Sequence, residues 1–291
     1  MVIEDFINYI LSEKRYSRHT AKAYESDLMQ FRTFLNQTYD MFDLKQVTEK
    51  IIRSWVVSLK EKQIDNTSIN RKLSSIRAYY DFLIKNEVIV THPVTFQKAL
   101  KTKKRVATFV PQSDMNNYGQ EVVGEQYDSL VKRVIIESFY QSGMRLSELM
   151  ELKLNTVDFS NSVIKVHGKR NKQRLIPFHN GFNQLLTHYL KQRAQMNPEN
   201  DFLIINKKGK RPSSSWIYKV VSSELRKVTT LTKTSPHVLR HTFATHLLNN
   251  GASLIAVKEL LGHTSLAATQ VYTHNTIEQL KKIHQQAHPK G

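Results

Sequence analysis

The stretch SPHVLRHTFATHLLNNG, residues 235–251, decides how the rest of the chain is read. Ser235 followed by Pro236 marks a helix start, because a proline in the first turn gives up an amide that has no intrahelical acceptor in any case. His237 therefore falls in that first turn, where free backbone amides and the helix dipole favour an anion. Arg240 follows three residues later on the same face. A histidine and an arginine side by side at a helix start suit a phosphate. His237 and His241 also have the i, i+4 spacing of two metal ligands, but the zinc-protease pattern needs glutamate at 238 and Val238 stands there. His241 is read as structural.

Working outward, GMRLSEL (143–149) follows a helix expected over Tyr127 to Gln141, which ends at Gly143 as a C-terminal cap. Arg145 sits at that bend, where its planar fork can point into a cleft. Glu148 can orient a basic group, or simply be a helix-start carboxylate. SVIKVHGKRNKQRLIPF (162–178) reads as a β-hairpin, with Val163, Ile164 and Val166 on one arm and Leu175 and Ile176 on the other. Its turn, Gly168 to Lys172, presents Lys169 flanked by Arg170 and Lys172. A turn lysine taken alone is a solvated charge. Phe202 to Ile205 is expected to add a strand before a second basic turn, KKGKR (207–211). Everything after Ser214 reads as helix, punctuated by Pro236, Gly251 and Gly262. LLGHTSLAATQVYTH (260–274) places His263 directly after Gly262 and Tyr272 further on; a tyrosine there, taken alone, is a packing residue.

The first 90 or so residues differ in kind. Phe6, Ile7, Ile10 and Leu11 recur at helical spacing, as do Tyr24, Leu28, Phe31 and Leu35. Ile51, Trp55, Val56 and Leu59 make a third helix, and Ile69, Leu73, Ile76, Tyr80 and Leu83 a fourth. Thr48 is the expected cap of the third, Asn66 or Ser68 the start of the fourth, and Pro93 its end. KALKTKKR (98–105) then supplies five basic residues and no acid, and Pro111 precedes the next helical run. The expected organisation is a four-helix domain over 1–95, a basic linker over 96–112 and an α+β domain over 113–291. The fold class is mainly α with a small β-sheet.

Composition bounds the function. At 291 residues with 40% hydrophobic content the chain can bury a core in each of two domains. No stretch approaches the roughly 18 uninterrupted apolar residues of a membrane span. The N-terminus carries Glu4 and Asp5 and no small-residue cleavage site, so it is not read as a signal peptide, and a cytoplasmic bacterial protein fits. Without cysteine there is no disulfide, thiolate zinc site or cysteine nucleophile. The net charge is +18. Residues 1–95 hold 14 basic and 12 acidic side chains, the remainder 29 and 13, and no acid occurs between Asp158 and Glu199. Charge so lopsided points to a polyanion, nucleic acid before membrane, since no basic helix with an aromatic face stands out.

Taken in order, Arg145, Lys169, the His237/Arg240 pair, His263 and Tyr272 resemble the tyrosine recombinase (phage integrase) family. GxR-x-SEL, a hairpin-turn lysine, HxLRHxFATHLL, LLGHxS and Tyr-Thr-His are all present. SEKRYSRHTAKAYESDLMQFRTFL (12–35) and INRKLSSIRAYYDFLIKN (69–86) are similar to the N-terminal, SAM-like core-binding domain of its Xer branch, and QLKKIHQQAHPKG (279–291) to the Xer C-terminus. The resemblance covers nearly the whole chain. Two departures stand out: Arg170 where the family often has glycine, and KTKKRVATFVPQSDM (101–115) as a loose version of its Pro-Lys linker.

The resemblance implies a C-shaped clamp on duplex DNA and a metal-, ATP- and cofactor-free phosphoryl transfer. In it Tyr272 attacks a phosphodiester and forms a 3′-phosphotyrosine. Arg145, Arg240 and His263 hold the phosphate, His237 helps take the tyrosine proton, Lys169 protonates the leaving oxygen, and Glu148 supports them from behind. Lys101, Lys103, Lys104, Arg105, Arg170 and Lys172 are the expected DNA contacts. Implied partners are DNA with inverted half-sites and a tetrameric synapse with itself or a second recombinase; an FtsK-like translocase stays open. Resolution of chromosome dimers through a Holliday junction is the expected task, with an integrase of a mobile element as the alternative. A topoisomerase of similar chemistry and a non-catalytic DNA-binding protein are weaker rivals. Finally, the tail from Thr276 to His288 reads as too polar for much burial, and its stripe Ile277, Leu280 and Ile283 is expected to dock on a neighbouring protomer.

Overall fold

Ser17 lies in extended backbone and its hydroxyl accepts from the Thr20 amide at 3.1 Å, which satisfies one orphan donor at the start of α2 (Arg18–Tyr39). In the computed structural model, which describes residues 3–94, 99–102, 108–118, 126–168, 173–262 and 274–290, the chain forms two compact units, Met1–Arg105 and Val106–Gly291. In the first, α1 (Ile3–Ser12), α2, α3 (Glu49–Glu61) and α4 (Asn66–Lys85) enclose Phe6, Leu28, Phe31, Leu35, Ile52, Ile69, Ile76 and Leu83, all fully buried. All but Ile52 are among the helix-spaced residues of the sequence, whereas Leu11, also in that pattern, is exposed.

The helix starts fall where expected: Thr48 is the N-cap residue of α3, although its side chain accepts no capping bond, and α4 begins at Asn66, capped by Asp65, which accepts from the amides of Thr67 and Ser68 at 3.0 and 3.1 Å. The end of the fourth helix differs. α4 stops at Lys85, before Pro93. The Asn86 side chain donates to the Phe82 carbonyl at 2.8 Å and Glu87 takes φ +55°, so a left-handed turn ends the helix. The start of the basic segment is tied to α4. Asn70 donates to the Leu100 carbonyl at 2.9 Å and accepts from the Leu100 amide at 2.8 Å, while Asn66 donates to the Lys101 carbonyl at 2.6 Å.

In the second unit, α6 (Tyr127–Ser142) is the central element. Every residue from 134 to 142 is buried, so the helix is covered on all sides by α8 (Asn180–Ala194), α9 (Ser214–Val228) and α10 (Pro236–Asn249). α5 (Gln112–Asn117) starts after Pro111, as expected, and α7 (Leu146–Glu151) and α11 (Leu254–Leu261) are short helices flanking the centre. A three-stranded antiparallel sheet runs β1 (Val157–Asp158), β2 (Val163–His167) and β3 (Gln173–Pro177), with Ile164 opposite Ile176 and His167 opposite Gln173. The hairpin arms are those read from sequence.

Two expectations are corrected here. Residues 202–205 form no strand beyond one bridge, Lys153 to Phe202. The Leu203 amide donates to the Leu152 carbonyl at 2.7 Å, and tyrosine hydroxyls take much of the rest: Tyr189 donates to the Leu203 carbonyl and accepts from the Ile205 amide, and Tyr127 donates to the Ile205 carbonyl. The tail, α12 (His274–Ala287), packs on its own unit, against the expectation that it buries little, and the side chain of Ile277 lies outside the described residues. Its buried face is Leu280, His284, Ala287 and His288, while Ile283 is only half-buried. Buried histidines, which sequence polarity counts as solvent-facing, carry that face. No described helix is long and apolar enough to cross a membrane.

Candidate active site

Gly143 ends α6 at φ +57°, and a Cβ there would lie 2.4 Å from Cδ1 of Phe243, so both the turn and the close approach call for glycine. The chain then turns so that Arg145 caps α7. Glu148 accepts from the Arg145 amide at 2.7 Å through one oxygen and from its Nη1 at 2.7 Å through the other. The Arg145 side chain keeps 29% of its surface open.

From β3, Arg174 grips the same carboxylate. Its Nη1 and Nη2 donate to Oε1 and Oε2 of Glu148 at 2.9 and 2.8 Å, and its Nε donates to the Leu260 carbonyl at 2.9 Å. Such a bidentate pair is short, directional and charge-assisted. α11 ends at Gly262, φ +65°, where a Cβ would stand 3.1 Å from Cδ and Nη1 of Arg174. From α10, buried Arg240 donates through Nη1 to the Gly143 carbonyl at 2.6 Å and through Nη2 to the Leu261 carbonyl at 2.8 Å. One guanidinium thus joins the C-terminal ends of α6 and α11, where helix dipoles favour a cation.

Electrostatics follow from this packing. Burial by itself would raise the Glu148 carboxyl, but the hydrogen bonds and charge of Arg174, with those of Arg145, outweigh it and hold the group down at about 2. Burial, and then the charges of Arg145 and Arg174, bring Arg240 down to about 10, which still leaves it cationic at neutral pH. Three guanidinium groups therefore share one carboxylate. The uncompensated positive charge, half-buried and held by backbone carbonyls, suits an oxyanion.

His237 stands exposed in the first turn of α10, where the Ser235 hydroxyl accepts from the Val238 amide as the sequence predicts. With His241, Arg226, Lys233 and Tyr218 it lines a cavity of about 590 Å³. The lining is cationic, which is the wrong company for a bound metal cation. His246, by contrast, is structural, bonded to the Tyr140 hydroxyl and the Val110 carbonyl, both at 3.0 Å.

Of the residues singled out from sequence, the structure brings together Arg145, Glu148 and Arg240, and places His237 on the helix that carries Arg240. Lys101 belongs to the first unit, its carbonyl held by Asn66. Lys169, His263, Tyr272, Lys103, Lys104, Arg105, Arg170 and Lys172 lie outside the described residues. Sequence reasoning misses Arg174, which stands there only as one charge in an acid-free stretch. The signal that could have found it is period two: Arg174 shares the inward face of β3 with buried Ile176, and an arginine on such a face needs a buried anion.

Residues 112–279 match the model of the phage integrase family, and residues 3–87 that of the phage integrase N-terminal SAM-like domain. The chain is 39% identical to a tyrosine recombinase XerC of Listeria innocua over 98% of its own length and 97% of the relative's. It is 35% identical to a tyrosine recombinase XerC of Lacticaseibacillus casei, with 99% and 98% covered. Among solved structures, XerH recombinase bound to palindromic difH in a post-cleavage complex matches with a TM-score of 0.74 at 21% identity, over 97% of this chain and 83% of that one. At that identity the likeness speaks for the fold.

Proposed function

The chain belongs to the phage integrase family, and from that premise we propose that it acts as a site-specific tyrosine recombinase of Xer type, cutting and rejoining duplex DNA to resolve chromosome dimers in the bacterial cytoplasm. The observation that carries the reading is the arginine cluster: Arg145 and Arg240 keep donors and net positive charge where a phosphodiester must be held, and Glu148 with Arg174 fixes the first of them from behind.

The chemistry explains the residue types. A phenol has a pKa of about 10 and needs activation to attack phosphorus at neutral pH. Tyr272 supplies the oxygen that bonds to phosphorus, and the bond to the 5′-bridging oxygen breaks. His237 helps take the phenolic proton, and Lys169 delivers one to the departing 5′-oxygen. Arg145, Arg240 and His263 hold the non-bridging oxygens as charge accumulates; one such donor contributes about 10²- to 10³-fold. Because the 3′-phosphotyrosine keeps the energy of the broken bond, rejoining to a partner strand needs no nucleotide cofactor. Inverted half-sites bring protomers together, with itself or a second recombinase in the synapse.

The test starts with footprinting on the protein's own chromosome to recover the inverted half-sites. On a nicked duplex carrying them, the wild-type protein should form a denaturant-resistant covalent adduct. Tyr272→Phe should bind with unchanged affinity and form none. An adduct from the phenylalanine protein assigns the nucleophile to another residue and overturns this mechanism.

A further inference from the structure

We propose that Arg174 is a positioning residue for the cleavage step: it locks the bend that carries Arg145 to the C-terminal turn of α11, so that the two sides of the phosphate cradle are set as one piece. The inference rests on the recombinase reading of the same site.

The geometry carries it. Glu148 has no free oxygen: each accepts once from Arg174 and once from Arg145. Arg174 in turn spends Nε on the Leu260 carbonyl and lies against Gly262, where any side chain would crowd its guanidinium. At 4% exposure it has little surface for a substrate, whereas the Arg145 side chain has 29% open. One arginine therefore touches α7 through the carboxylate and α11 through a carbonyl and a glycine. The residue after that glycine is His263. Lysine cannot copy this arrangement, because a single ammonium has no planar fork to hold two carboxylate oxygens and a carbonyl at once.

The arrangement also has a titratable hinge. The cations that face Glu148 are Arg145 at the N-cap of α7, Arg174 of β3 and Arg240 of α10. Burial works against the carboxylate, and Arg174 is the largest influence in its favour. Without Arg174, a buried carboxyl with weaker compensation takes up a proton nearer neutrality, and a neutral Glu148 loosens its grip on Arg145.

The full-length protein and the nicked inverted-repeat duplex test this. Arg174→Met should slow covalent cleavage at saturating protein by about 10²-fold, the usual size of a misplaced reacting group, with half-site affinity within about twofold of wild type. The ratio of its cleavage rate to that of the wild type should also rise with pH over roughly 5 to 8, because the proton acceptors the two proteins share cancel in the ratio and Glu148 does not. Adding Glu148→Gln to that variant should make the ratio independent of pH, because the carboxyl that titrates is gone. Arg174→Lys, which keeps a cation and guards against misfolding, should stay slow by a factor that does not change with pH. A methionine variant that cleaves at the wild-type rate sinks the proposal, and so does one that is slow at every pH by the same factor. If the wild-type protein itself forms no adduct, the recombinase reading fails instead. The carboxyl carbon of Glu148, followed by NMR in the free wild-type and methionine proteins, then decides the inference, which requires its pKa to rise in the variant.

Discussion

Lys169 and Arg174 stand five residues apart in one hairpin and are suited to opposite work. A guanidinium scarcely gives up a proton and holds two oxygens in a fixed fork, whereas an ammonium is a mobile point charge that can act as an acid. Lys169 is accordingly the proposed general acid, and Arg170 and Lys172 are proposed to meet the DNA backbone. A positioned acid contributes about 10²- to 10⁴-fold because an alkoxide leaves poorly without a proton. Lys169→Ala should therefore lose cleavage on ordinary DNA and recover it on a substrate whose 5′-bridging oxygen is sulfur. Lys172→Ala should show only a salt-sensitive binding defect. Sulfur rescue of Lys172→Ala in place of Lys169→Ala reverses the assignment. At this scale Arg145, His237 and Arg240 are legible from sequence because helix starts and glycine caps announce where charged side chains gather. Glu148 is legible as a carboxylate but not as a four-bond hub, since both of its cationic partners have to be folded against it.

At the scale of the element, the open end of α6 is closed by side chains from two other helices. The His288 and His284 side chains contact the Tyr140 and Gln141 carbonyls at 3.0 and 2.8 Å, and Arg240 donates to that of Gly143. His179, His284 and His288 stack on one another beneath α12 with ring centroids 4.7 to 5.3 Å apart. Burial lowers the pKa of all three, that of His284 to about 3. A histidine whose folded pKa is depressed binds fewer protons folded than unfolded. Its contribution to stability is therefore complete above the ordinary value near 6.5 and is lost as pH falls below it, at up to about 1.4 kcal/mol per pH unit per group. α12 should then undock on acidification from pH 7 to 5. Hydrogen exchange of residues 280–288 should accelerate over that range, and His284→Gln should flatten the dependence. Protection that does not change with pH removes the histidine stack from the explanation. Sequence pattern misleads about the tail because it points to an apolar stripe where neutral, stacked imidazoles do the packing.

Across the whole molecule, the +18 charge is unevenly shared, and the run KALKTKKR carries five positive charges without an acid. Each phosphate neutralised by such a residue releases condensed counterions, so log affinity falls with log salt by about 0.9 per neutralised phosphate on duplex DNA. Replacing Lys101, Lys103, Lys104 and Arg105 with alanine should weaken binding at low salt and reduce that slope by roughly one for each phosphate left without its cation. Fluorescence anisotropy titrations between 50 and 300 mM salt, on the order of the range where such slopes are read, measure it; an unchanged slope means the segment does not follow phosphates. What the sequence by itself determined is whatever depends on short-range pattern: the helical first unit, the hairpin arms, the cap at Ser235, the glycine after α6 and the order of residues that marks the family. Helical period, alternation and capping act over a few residues and need no knowledge of the rest of the chain. The tertiary structure alone decided where long-range polar partners go. Tyrosine hydroxyls replace a strand ladder at 203–205, asparagines of α4 hold Leu100 and Lys101, and imidazoles seat α12. Arg174 meets Glu148 across 26 residues, and Arg240 meets Gly143 across 97. Those bonds form because a buried polar group must find a partner, and which partner lies within reach is settled only when the helices have packed.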